Sequence, residues 1–163
     1  MLAYSTDVFK TLKFIHVMAA IVWVGGGIFV QIYSTRLNRA GDADQLTRFA
    51  HDVSKLGNRV FAPASGLVTL MGIVMVIYSP YIFFSETWII IGIAGAIATF
   101  ITGAFFIGPA AERLAKTVET EGLGAPGVQD SIKRIFTVSR IDQVVLMLVV
   151  LTMVFKPGSK FTS

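Results

Sequence analysis

Cysteine is missing from all 163 residues, which excludes disulfides, thiolate metal sites and thiol redox chemistry. Charge is scarce. Asp, Glu, Lys and Arg make up 15% of the chain, against roughly 25% in an ordinary soluble domain. Histidine occurs only twice. No glycine-rich loop is placed to cradle a phosphate, because Gly25-Gly26-Gly27 lies inside an apolar run. Ser, His and Asp occur at different depths of the expected bundle, so nucleophilic hydrolysis has no support.

What fills the chain instead is apolar: 54% of residues are hydrophobic. They fall in four blocks, 14–33, 60–78, 88–107 and about 136–155. Each approaches the ~20 residues that cross ~30 Å of hydrocarbon as a helix. A helix also satisfies its own backbone hydrogen bonds in lipid. The sequence therefore predicts an all-α, integral membrane four-helix bundle, a single domain over 1–163 with spans at about 12–35, 59–78, 88–108 and 137–156. The first block is longer than the ~7–15 apolar residues of a secretory signal, and it runs straight into Ser34-Thr35-Arg36. It is expected to be a retained helix.

The basic residues are unevenly spread. Arg36, Arg39, Arg48, Lys55 and Arg59 lie between the first two spans; Arg113, Lys116, Lys133, Arg134 and Arg140 lie between the last two. The 79–87 connection has none, and its only charge is Glu86. The positive-inside rule then places both basic segments in the cytoplasm and both termini outside. This distribution explains the net charge of +4 better than nucleic-acid binding does. Leu46, Phe49, Ala50, Val53 and Leu56 recur at helical spacing, which predicts a cytoplasmic amphipathic helix lying on the membrane or continuing the bundle. Gly57-Asn58 is expected to break it, and Gly108-Pro109 to weaken the third helix at its exit. Gly92, Gly95, Ala96, Thr99 and Gly103 form a small-residue face for close helix packing. Residues 121–127 read as the flexible linker. The two halves share a plan of span, basic segment and returning span, which suggests a parallel duplication.

His16 is the ionisable side chain that stands out inside a span. A polar group in hydrocarbon costs several kcal/mol, so it is a site candidate by default. Lys13, His16, Ala20, Trp23, Gly27, Gln31 and Ser34 fall within an arc of roughly 80° on a helical wheel. That stripe should face protein. Three roles stay open for His16: a packing hydrogen bond, a haem or metal ligand, or part of a proton or ion pathway. His51 lies at the opposite end and cannot assist it. A second axial ligand would come from Lys13, Met75, Tyr78 or Met153. The charge-free part of the fourth span, 144–155, is too short to cross, so Arg140, Asp142 and Gln143 enter the membrane. Asp142 is expected to form a structural ion pair with Arg59 or Arg140, with proton transfer or anion binding as the sharper alternative.

Lys13-Phe14-Ile15-His16, with Trp23 and Gly25 following, resembles the first helix of HemJ-type protoporphyrinogen oxidases. Lys133-Arg134-Ile135-Phe136 and Val154-Phe155-Lys156-Pro157 resemble their last helix. Through 12–37, 57–63 and 139–157 the chain is similar to an uncharacterised family of bacterial four-helix membrane proteins of the same CopD-like superfamily. The resemblance implies that His16 matches the HemJ haem-ligand histidine, with haem b as cofactor. The lysine that such proteins carry after a tryptophan in the third helix has no counterpart here, where Trp88 is followed by Ile89-Ile90-Ile91. The expected function is a b-type haem or redox-accessory protein of the bacterial cytoplasmic membrane, with His16 as axial ligand and Lys13, Trp23 and Met75 around the cofactor. The alternatives are a non-catalytic subunit or assembly factor of a larger membrane complex, in which other subunits or further copies are partners, and a small ion or proton transporter.

Overall fold

A computed structural model describes residues 5–158. Among these the chain is helical with no strand, and four helices are long and apolar enough to cross a membrane: α1 (Thr6–Ala40), α2 (Asp44–Tyr78), α3 (Thr87–Glu121) and α4 (Val128–Phe155).

Local chemistry sets their ends. α1 stops at Gly41, whose φ of 69° suits a residue without a Cβ. Asp42 then caps α2, its carboxylate accepting from the Gln45 N–H at 2.9 Å and from Gln45 Nε2 at 2.8 Å. Ser79, in the extended conformation that a following proline favours, ends α2. Gly122 ends α3 and Gly127 opens α4, both at positive φ. Lys156 adopts the left-handed conformation after α4, ahead of Pro157.

The expected break at Gly57-Asn58 does not occur. Gly57–Phe61 is a π turn inside a continuous helix, closed by the Ala62 N–H bonding to the Gly57 carbonyl. A second π turn, Thr102–Ile107, lies in α3 and is closed by the Gly108 N–H and the Gly103 carbonyl. Each stands just before a proline. A proline inside a helix clashes with the carbonyl four residues back, here Arg59 for Pro63 and Phe105 for Pro109. Both carbonyls fall within the widened turns, which make room for the rings. The amphipathic segment is thus the first part of α2 itself. α4 enters at Ser139-Arg140-Ile141 without such a turn, so the two halves differ where the duplication would place the same feature.

α1 packs along α2, and α4 along α3. At the end carrying the basic segments, the first half of α2 lies against the second half of α3. A water-side core forms there from Leu37, Leu46, Val118, Val128 and Ile132, flanked by Phe49, Leu114 and Phe136. At the end carrying the termini, Val76, Trp88 and Ile89 pack with Ile82, Ile93 and Met153. Between these cores the helices turn apolar side chains outward, Ile21 at 58% and Leu148 at 55% exposure among them. A soluble monomer does not show so much apolar surface; lipid is the solvent it fits. Where lipid gives no hydrophobic drive, close packing must hold helices together. On α3, a Cβ at Gly92 would overlap Met153, and one at Gly95 would overlap Val149.

Candidate functional site

His16 lies ten residues into α1, about 15 Å from its start. Its Nδ1 is 2.8 Å from the Val68 carbonyl oxygen on α2. A carbonyl only accepts, so Nδ1 donates, and in the neutral ring the lone pair is left on Nε2. The imidazole edge rests over Gly72, where a Cβ would come 3.3 Å from Cε1.

Three contacts set the antiparallel register of α1 on α2. The Ser5 N–H donates to the Tyr78 hydroxyl at 2.7 Å, His16 meets Val68, and Gly26 faces the Phe61 ring. This register brings Lys13 level with Met71, and Phe9 level with Met75. Met75, half-buried, therefore stands about 10 Å along α2 from the level of His16, while Lys13 is exposed. Trp23 is seven residues further along α1, about 10 Å from His16 along the axis, and half-buried. Met153 packs beside Trp88 in the seam of α3 and α4. Val68, on the level of His16, is about 25 Å along α2 from His51. The Nε2 of His51 lies 3.9 Å from Glu119 Oε2.

The polar stripe of α1 serves two neighbours. Its upper part, at His16, meets α2; its lower part meets α4. Gln31 Nε2 donates to the Ser139 carbonyl at 2.6 Å and to its hydroxyl at 3.2 Å. Gln143 Nε2 donates to the Val24 carbonyl at 3.4 Å, with its side chain over Gly27. Gln31, Ser139 and Arg140 border a cavity of about 80 Å³. Asp142 is half-buried, yet among the described residues no cation lies within 4.0 Å of it. The expected pairing with Arg59 or Arg140 is not formed, for a geometric reason. Arg140 precedes Asp142 by two residues, about 200° around the helix, so the two do not share a face. Arg59 sits in the π turn and is exposed.

The sequence did not point to the partners of His16, since a backbone carbonyl and a glycine leave no signature in an apolar run. It also passed over a cluster at the termini end. Glu86 and Trp88 are 6% and 8% exposed, and Glu86 Oε2 and Trp88 Nε1 are buried without a hydrogen-bond partner among the described residues. Lys156 Nζ lies 5.3 Å from the centre of the Trp88 indole. The lone charge of the 79–87 connection was the available signal. Among the described residues, no three His, Asp or Glu side chains gather as a metal-ion site.

Four long apolar helices, with polar side chains turned to one another between them, describe an integral membrane protein. A family model of that description matches residues 10–157. The chain belongs to the DUF2269 family of predicted integral membrane proteins. No curated protein and no solved structure matches it.

Proposed function

We propose that this family member is a b-type haem-binding or redox-accessory membrane protein, with His16 Nε2 as the axial nitrogen. The supporting observation is the 2.8 Å bond from Nδ1 to the Val68 carbonyl. Metal-ligating histidines almost always donate their other ring N–H to a carboxylate, a carbonyl or water, which fixes the tautomer and raises the basicity of the ligating nitrogen. The donor set fits a haem held through one histidine. Lys13, one turn from His16 on α1, and Met75 and Trp23, each about 10 Å away along the helix axes, are the residues that would surround such a group. When bound, haem supplies one-electron chemistry; the chain orients the imidazole and keeps its proton on Nδ1. Kinship with the CopD-like and HemJ-like proteins is part of this reading. So are a location in the bacterial cytoplasmic membrane and termini facing outward, which the ten basic residues of the two loop segments support.

The test is an absorption spectrum of the protein purified from haem-replete cells. A Soret band is expected, lost in His16→Ala and kept in His51→Ala. A colourless protein would overturn the reading and favour a non-catalytic subunit or assembly factor.

A further inference from the structure

A groove of about 480 Å³ opens at the basic end, between the second half of α3 and the start of α4. Its chemistry is graded along α3. Phe105 and Phe106 lie on the π turn that closes the apolar run, Phe105 turned outward at 74% exposure. Arg113 lies seven residues beyond Phe106, about 10 Å further toward water. Across the groove Arg134 of α4 holds its guanidinium 5.3 Å from the centre of the Phe106 ring. Ser131 adds a hydroxyl to the lining, and the positive end of the 28-residue α4 dipole forms the rim.

No carboxylate lines this groove. Among the described residues, neither Arg113 nor Arg134 has a carboxylate within 4.0 Å. The neighbouring acids are engaged elsewhere, Glu112 with Lys116 at 3.1 Å and Asp130 with Lys133 at 3.8 Å. Two guanidiniums therefore line one space with no carboxylate among the described residues to neutralise them.

We propose that the groove binds an anionic phospholipid, its phosphate between Arg113 and Arg134 and its acyl chain along Phe105. The order of groups along the groove, apolar, aromatic, then cationic, is the order of groups along such a lipid at the interface. A guanidinium offers the planar pair of donors that phosphate oxygens accept. Basic pockets between spanning helices at the headgroup level bind lipid phosphates for this reason. A soluble phosphate would use the arginines and leave the Phe105 wall without a purpose.

The full chain in neutral detergent is offered phosphatidylglycerol or phosphatidylcholine with identical acyl chains, and bound lipid is counted by native mass spectrometry. Phosphatidylglycerol should be retained about tenfold better or more. The preference should vanish in Arg113→Gln/Arg134→Gln and persist in Arg36→Gln/Arg39→Gln, which removes the same charge from the same end outside the groove. Ser131→Asp, at an exposed position near the start of α4 where an acid suits the helix, places a carboxylate in the groove and should abolish the preference with helix content unchanged. Equal retention of the two lipids, a preference surviving both groove variants, or equal loss in the Arg36/Arg39 control would overturn the proposal. So would inorganic phosphate raising the thermal midpoint as much as phosphatidylglycerol does.

Discussion

At His16 the backbone of a neighbouring helix, rather than an acid or a second histidine, fixes the imidazole. A carbonyl has two lone pairs, so Val68 can serve its own helix and the ring together. Asp142 is the contrasting case, a half-buried carboxylate on α4 without a cation within reach among the described residues. Breaking a buried ion pair from one side costs ~3–5 kcal/mol because the survivor is stranded. With no survivor, Asp142→Asn should leave the thermal midpoint of the detergent-solubilised protein unchanged or raise it. A fall equivalent to ~3 kcal/mol would reveal a cation that the geometry does not place there. Sequence periodicity placed His16 on a face turned to protein, because an apolar helix with one polar stripe allows little else. It could not rank arginines as partners for Asp142, because equal depth says nothing of direction around the axis.

At the scale of the element, the π turns in α2 and α3 carry the amphipathic segments into line with the spans. Gly57-Asn58 has the composition of a turn, and composition alone predicts a break. The backbone has a stronger demand near the bilayer, where every N–H and C=O needs a partner. Widening the helix by one residue meets that demand and clears the proline ring as well. A π turn has no pattern of its own in a sequence, which is why the lengths of the spans were legible and the continuity of the helices was not. The π turn has already absorbed one extra residue, so adding another should matter more than removing the proline. An alanine inserted after Asn58 turns everything before it by about 100°, taking Leu46 and Phe49 out of their core. Limited proteolysis should then cut the α2 extension, whereas Pro63→Ala should stay as resistant as the parent chain. Equal resistance of both variants would show that the extension tolerates either register.

For the whole molecule, length matters as much as hydropathy. Three of the helices have 35 residues, about 52 Å, well beyond ~30 Å of hydrocarbon. The excess forms the water-side core around Ile132, which is 1% exposed. The proposed orientation puts this core in the cytoplasm, and the absence of cysteine makes labelling direct. Ser85→Cys and Gly124→Cys are both at exposed positions on opposite ends. A membrane-impermeant maleimide applied to intact cells should label the first and not the second. Labelling of Gly124→Cys alone would invert the topology.

A rod pinned at both ends gives most at its middle. The pair α1–α2 and the pair α3–α4 are clasped by the extensions of α2 and α3 at the basic end, and by Val76 against Trp88 and Ile89 at the other. Between the two pins, α1 and α4 meet through Gln31 with Ser139 and Gln143 with the Val24 carbonyl. Relative movement of the two pairs is therefore centred on the waist of the molecule, with both ends held in register while it happens.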